Sequence, residues 1–349
     1  MIEHSKPTIG KPEKEAVLKV IDGGIIYEGN TVEKFENKLA ETIGSRGAVA
    51  ASTGTQALHL ALLAIRLAPG DEIIIPNYVC RSVLNAVLYC GARPVLCDVD
   101  SDTYNIDFER AKKLLNRKTR AVIVAHMFGL PAEISRFREL GVYVIEDCAH
   151  SIGAKYHGRR AGSFGDLSVF SFEGTKYITT GEGGAVLANS AVLLNRLRRL
   201  KEPEARDCRI KYTSRMTNIQ AAIGCVQLDR LPAFIKRRRE IAAIYNSAFS
   251  GLPLGLPKVP PGRTHIFQRY MVKLEKCADK FMAYCFSKGV KVKRPVKPLL
   301  LNQYLGLPIK DYPCSRQIMR SSVSIPVYPS LTEKELRLII TTVKNGLKS

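Results

Sequence analysis

Three stretches carry side chains suited to chemistry. In Ser171–Gly184 (SFEGTKYITTGEGG) a single lysine, Lys176, stands between two apolar runs. Enclosing an ammonium costs on the order of several kcal/mol unless it is paired or neutralised. A lysine that has lost its proton is a nucleophile toward carbonyls and forms Schiff bases. The same stretch also fits a surface turn with a solvated lysine. The second stretch is Glu146–Asp147, which closes the run VYVIED (142–147). Successive strand side chains point to opposite faces, so one acid of the two faces a given site. It serves either as a salt-bridged structural acid or as the partner of a cationic ligand. His150 follows three residues later, as a structural histidine or a ligand contact. The third is Ser52–Gln56 (STGTQ), where an apolar run gives way to a helical pattern. It reads as an ordinary N-cap or as an anion site built from helix N-terminal amides.

A phosphate site, an acid for a ring nitrogen and a lysine for an aldehyde are the parts pyridoxal phosphate requires. Asp147 would then pair with the protonated pyridine nitrogen and keep the ring an electron sink. Metal chemistry finds little support, with six scattered histidines and no HExxH. Neither GxSxG nor a kinase-type loop occurs.

The elements that position these residues alternate. Short Val- and Ile-rich runs at Glu72–Pro76, Pro94–Asp98, Ala121–Ala125 and Val142–Asp147 are separated by helical patterns at Arg81–Tyr89, Phe108–Leu115 and Pro131–Leu140. Ala48–Ala51, Leu167–Phe172 and Gly184–Asn189 read as further strands. This rhythm predicts an α/β fold with a mostly parallel sheet, whose ligands bind beyond the carboxyl ends of the strands. A long helix is expected from Met216 to about Phe249, interrupted near Pro232. The Pro- and Gly-rich Gly251–Arg263 marks a boundary. A large domain at 12–250 and a smaller α+β domain at 251–349 follow, leaving the tail 1–11 available to pack with the latter.

The chain has 349 residues and is 46% hydrophobic, which indicates a globular protein. No run of eighteen apolar residues occurs, so no membrane span is expected. The polar N-terminus lacks a secretory h-region. Nine cysteines without CxxC spacing read as reduced thiols of a cytoplasmic protein. Fifty-three Lys and Arg against 32 Asp and Glu give a net charge of +21. The basic runs at 196–201, 236–239 and 291–297 lack interleaved aromatics. The first two read as solvated helix faces rather than a nucleic-acid surface.

Across nearly its whole length the sequence resembles the DegT/DnrJ/EryC1/StrS family of fold-type-I, pyridoxal-phosphate-dependent sugar aminotransferases. The likeness is carried by STGTQALHLALLAI (52–65), GDEIIIPNY (70–78), GARPVLCDVDSDTYNID (91–107), VIEDCAHSIGA (144–154), GSFGDLSVFSFEGTKYITTGEGGAVLAN (162–189), RMTNIQAAIGCVQLDRL (215–231) and SIPVYPSLTEKE (324–335). The resemblance implies that Lys176 binds the cofactor aldehyde and shuttles the proton. It matches Asp147 to the pyridinium partner, His150 to a position beside the ring, and Gly54, Thr55, the Gln56 amide and Ser171 to phosphate contacts. It further implies a homodimer with shared active sites, a nucleotide-linked ketosugar as substrate and glutamate as amino donor.

Three positions depart from the family pattern. Cys80 stands where an aromatic residue usually stacks on the cofactor, and Tyr78 is the ring closest in sequence to replace it. Thr213 stands where an asparagine often reaches the partner's cofactor phosphate. Leu300 replaces a common histidine. Relatives that perform dehydration carry histidine in place of the lysine, so Lys176 points to amino transfer. Arg215, Lys293 and Arg294 are candidate contacts for the substrate phosphates. The SIGA sequence after His150 favours a 4-keto over a 3-keto sugar. A keto-inositol or other cyclic ketone as acceptor is the alternative among enzymes; a regulatory nucleic-acid-binding homologue is the alternative outside them.

Overall fold

The structure is a computed structural model that describes residues 1–201, 212–276, 278–296 and 298–348. Lys297, the end of one basic run, lies outside the described residues.

Seven strands form the central sheet: β1 (Gly47–Ala51), β2 (Glu72–Pro76), β3 (Arg93–Cys97), β4 (Thr119–Ala125), β5 (Tyr143–Asp147), β6 (Leu167–Ser171) and β7 (Gly184–Ala188). Their spatial order is β1-β7-β6-β5-β4-β2-β3. All pairings are parallel except those of β7, which runs antiparallel to both β1 and β6. The mostly parallel α/β sheet expected from the sequence is therefore present. Its strands are mostly apolar, because helices cover both faces. All five residues of EIIIP are buried, and each buried isoleucine contributes about 1.5–3 kcal/mol. Because β7 alone is reversed, the carboxyl ends of the other six strands share one edge. The loops leaving that edge build the site.

The helix Asn218–Phe249 joins the two parts of the molecule. Thr217 and Gln220 form its capping box. Its first half packs on the helices Lys11–Asp22 and Asn30–Ile43. There Gly224 meets Phe35 so closely that a Cβ would lie 2.6 Å from the ring. Its second half sends Ile241, Tyr245 and Phe249 into a separate core. That core lies under a small antiparallel sheet of β8 (Leu254–Gly255), β9 (Tyr270–Leu274) and β10 (Ser322–Ile325). The interruption expected at Pro232 does not occur. Pro232 lies on the exposed side of the helix, and its neighbours Leu231 and Phe234 are buried and hold the backbone in line. The N-terminal residues pack beside the small sheet: Ile2 bridges Val290, and His4 Nε2 lies 2.9 Å from Ser324 Oγ.

The two basic helix runs are solvated only in part: Arg198, Arg199, Lys236 and Arg239 are exposed as expected, but the other cations turn inward. Arg238 is 2% exposed and donates to the carbonyls of Val327 and Gln268. Arg237 pairs with Glu240 and Glu333, Arg196 donates to the Ala64 carbonyl, and Lys201 pairs with Glu28 at 2.7 Å. These cations tie elements together. Helical periodicity alone does not distinguish such a role from solvation, because the long stems of Arg and Lys reach partners on other elements.

Candidate active site

Thr53 ends the turn after β1 and caps the helix Gly54–Ala64, its Oγ1 accepting from the Gln56 amide at 3.1 Å. The amides of Gly54 and Thr55, first in the helix, have no intrahelical acceptor and lie at the positive end of its dipole. Gly54 is required by crowding: a Cβ there would lie 2.6 Å from Ser171 Cβ and 2.8 Å from Ser171 Oγ. This close approach brings the helix start against the end of β6.

Lys176 lies in the loop between β6 and β7. Its amide donates to the Glu173 carbonyl at 2.9 Å. Around it the loop is fastened on several sides. Thr180 N donates to Phe172 O at 2.9 Å, Thr179 Oγ1 to the same carbonyl at 3.0 Å, and the Tyr177 hydroxyl to Ile266 O at 3.0 Å. Tyr177, Ile178, Thr179 and Thr180 are all buried, so the lysine is presented by a rigid segment.

At the end of β5 the two adjacent acids part ways. Glu146 is buried. It accepts from the amides of Gly162, Phe164 and Gly165 at 2.8, 2.7 and 2.6 Å, and stands 2.8 Å from His126 Nε2. His126 Nδ1 accepts from the Ala132 amide at 2.9 Å, so the proton of a neutral imidazole lies on Nε2, toward the carboxylate. Burial pushes the Glu146 carboxyl up, but the His126 bond and the amides outweigh it, and the net direction is down. Asp147 takes the other face and, among the described residues, accepts only from the Ala149 amide, at 3.0 Å.

Asp147 and Lys176 line one cavity of about 390 Å³ together with Thr53, Gly54, Thr55 and Ser171. A second cavity of about 240 Å³ shares Cys80, Asp147, Ala149, Glu173 and Lys176, and adds His150, Phe128, Arg269 and Val296. The accessible part of these side chains is cavity wall, and behind it they are enclosed by protein. Burial accordingly raises the Asp147 carboxyl, opposed by the Ala149 amide and the Lys176 charge. Burial likewise lowers the Lys176 ammonium, offset in part by Asp147. His150 is pulled well below the usual histidine range by burial and then by the charges of Lys176 and Arg269, so it is neutral at pH 7. Its ring stacks on Phe128, with centroids 5.8 Å apart.

Two free amides and the Thr55 and Ser171 hydroxyls at a helix start, a lysine with a depressed pKa and a carboxylate without a cationic hydrogen-bond partner suit a planar phosphorylated aldehyde with a basic ring nitrogen. The residues present therefore fit pyridoxal phosphate.

The sequence profile of the DegT/DnrJ/EryC1/StrS aminotransferase family matches residues 7–344. The chain belongs to that family. It is a pyridoxal-phosphate-dependent aminotransferase of the sugar aminotransferase group. It is 33% identical to the GDP-perosamine synthase of Vibrio cholerae over 362 residues, covering 99% of each chain. It is 31% identical to the UDP-N-acetyl-3-dehydro-alpha-D-glucosamine 3-aminotransferase of Acidithiobacillus ferrooxidans, covering 94% of this chain and 92% of the relative. Among solved structures, the aminotransferase TlmJ from Streptoalloteichus hindustanus superposes with a TM-score of 0.93 at 30% identity, covering 100% of this chain and 99% of that one. The α/β, fold-type-I architecture is shared.

The aminotransferase brings together Lys176, Asp147, Gly54, Thr55, Ser171, Cys80 and His150 around the two cavities. Other expected residues lie elsewhere. The Gln56 amide is already bonded to Thr53. Tyr78 does not line either cavity; it is fully buried against Tyr104 and Phe128. Cys80 does line both cavities, but as an exposed residue at the start of the helix Arg81–Tyr89, its Sγ 3.4 Å from Ser82 Oγ. Thr213 is exposed, and Arg215 faces Glu28 at 3.5 Å beside a different cavity. Lys293 is exposed and bridges Ser324 through its backbone, while Arg294 pairs with Asp279 at 2.6 Å. Leu300 is packed in the core. Arg269, Glu173 and Thr53 line the cavities without having been singled out. An arginine in the apolar run IFQRYMV was the available signal for Arg269.

Proposed function

We propose that this aminotransferase moves an amino group from glutamate to a nucleotide-linked ketosugar, giving an aminosugar. The observation that carries the reading is the convergence of Lys176, Asp147 and the Gly54–Thr55 helix start on one cavity. The Gly54 and Thr55 amides and the Thr55 and Ser171 hydroxyls would hold the cofactor phosphate. Asp147 would hold the proton on the ring nitrogen. Lys176 would hold the aldehyde. When bound, pyridoxal phosphate supplies that aldehyde and a conjugated ring that accepts electrons.

The remaining chemistry belongs to Lys176 Nζ. Enclosure holds its pKa below the ordinary lysine value, so the freed amine would take a proton from the donor carbon and deliver it to the cofactor's aldehyde carbon, and would carry a proton the opposite way, onto the sugar carbon, in the second half of the cycle. Neutral His150 and Phe128 form a stacked wall beside it, which excludes water.

A 4-keto acceptor is favoured by the SIGA segment after His150. A GDP-perosamine synthase and a UDP-linked 3-aminotransferase stand at similar identity. Incubation with L-glutamate and a panel of nucleotide 3-keto and 4-keto sugars, read by product mass and NMR, tests both the activity and the position. Amination of a 4-keto sugar is expected. Amination of 3-keto sugars alone would overturn the regiochemistry, and no amination of any panel member would overturn the substrate class.

A homodimer with shared sites suits Thr213, exposed and away from this chain's own cavity, and the exposed Ile25, Ile26 and Tyr27. Sedimentation should give twice the 38.7 kDa chain mass; a monomer at working concentration would contradict it. Cytoplasmic location agrees with the seven cysteines of the described residues, all free; cell fractionation tests it, and recovery in a secreted fraction would count against it.

A further inference from the structure

Arg269 sits just before β9, in the segment that crosses from the small sheet to the cavity. Its amide donates to the Phe128 carbonyl at 3.3 Å, which fixes it to the loop after β4. Its side chain lines the second cavity with Lys176, His150 and Cys80. Nη1 stands 3.2 Å from His4 Nδ1, and the enclosed Nε has no hydrogen-bond partner. Among the described residues no carboxylate lies within ion-pair distance of the guanidinium. Burial, then the Arg238 charge, pulls Arg269 down to about 10. It remains a full cation at neutral pH.

An enclosed guanidinium without an anion is costly. The two acids on the same cavity wall do not supply one. Glu173 accepts from Thr175 Oγ1 at 2.6 Å and from the Thr175 amide at 3.0 Å, and Asp147 accepts from the Ala149 amide. Glu173 acts on the guanidinium only from beyond ion-pair distance, which leaves the place of a contacting anion to a ligand. Every amino-acid donor carries a carboxylate on the carbon that reacts, so a carboxylate must enter the cavity that Lys176 serves. A guanidinium fork matches that group bidentately.

We propose that Arg269 is the carboxylate-binding residue for the amino donor. The proposal rests on the assignment of Lys176 to the cofactor. It gives the donor a fixed orientation, with its carboxylate toward the small sheet and its reacting carbon toward Lys176 Nζ. It also separates the two halves of the cycle: the donor needs Arg269, whereas a neutral sugar ring does not.

The test uses the cofactor-loaded protein and the variants Arg269→Met and Arg269→Lys. Calorimetric titration with glutarate, a dicarboxylate with no amine, reads binding alone. Rapid mixing with L-glutamate, following loss of the visible cofactor band, reads the donor half-reaction. Rapid mixing of the aminated enzyme with the ketosugar reads the acceptor half. Arg269→Met is expected to weaken glutarate and L-glutamate by about 30-fold or more, the loss of a charge-assisted bidentate pair, with the acceptor half unchanged. Arg269→Lys should lie between it and the wild type. Wild-type donor binding in both variants would overturn the proposal. A loss confined to the acceptor half would overturn it too and move Arg269 to an anionic group of the sugar nucleotide. Should Arg269→Met fail to fold, Arg269→Lys carries the test, with about tenfold weakening expected and unchanged glutarate binding contradicting it. If wild-type protein binds glutarate but L-glutamate leaves its band intact, the choice of glutamate as donor fails while Arg269 is still tested by the titration.

Discussion

Glu146 and Asp147 are neighbours on β5 whose carboxylates serve opposite sides of the sheet. Glu146 gathers three backbone amides of the 162–165 turn and the His126 ring. Asp147 lines the cavity with Lys176. The strand's two-residue period turns one acidic pair into a structural anchor and a cavity-lining carboxylate. The anchor also matters to the site, because the His126 amide donates to the Asp147 carbonyl at 3.0 Å.

Replacing Glu146 by Gln removes the charge from several buried hydrogen bonds. Denaturant unfolding should show a loss of about 2–3 kcal/mol. The folded-state pKa of Glu146 lies below its ordinary value of 4.5. Its contribution is therefore present above about pH 4.5 and is lost as pH falls through the folded value. The wild type should show this extra acid destabilisation and Glu146→Gln should not. Identical pH profiles would remove Glu146 as the anchor.

Asp147→Asn keeps the side-chain shape and the Ala149 bond but cannot hold the ring proton. The variant should fold with unchanged unfolding behaviour, and kcat should fall by about 10²–10³-fold, the usual effect of losing one electrostatic stabiliser. A variant with near wild-type turnover would refute the role given to Asp147.

Gly54→Ala places a methyl 2.6 Å from Ser171 Cβ. The contact involves the base of a short side chain at a strand end, so relief requires moving the helix start by several tenths of an ångström. Overpacking of this kind costs about 1–3 kcal/mol. Fluorescence titration of the cofactor-free protein should show cofactor binding weakened about tenfold or more, and Ser171→Gly in the same chain should restore part of the lost stability in denaturant unfolding, though not the phosphate contact of its hydroxyl. Unchanged cofactor affinity would detach the helix start from phosphate binding.

The sheet was readable because its strands are buried on both faces and leave continuous apolar runs. The site was readable where backbone chemistry dictates residue type. Lys176, Asp147 and the Ser52–Gln56 turn all fall at strand ends, where an α/β sheet puts its ligands. Residues placed by packing between distant segments were not readable. Tyr78 lies two residues after β2, yet the rings of Tyr104 and Phe128 draw it into the core. Arg269 reaches the cavity only because its segment docks on Phe128. Pro232 breaks a helical pattern on paper but lies on the exposed side of a helix held by its buried neighbours. Arg238 looks like part of a solvated basic run, and three carbonyls from distant segments make it a buried tie.

The claim that Lys176 forms the bond to the cofactor is tested most directly by reducing the loaded protein with borohydride and mapping the modified peptide by mass spectrometry. The reduced adduct should sit on Lys176 alone, and Lys176→Ala should lack both the adduct and the visible band of the lysine-bound cofactor. An adduct on another lysine, or an unchanged band in Lys176→Ala, would contradict the account.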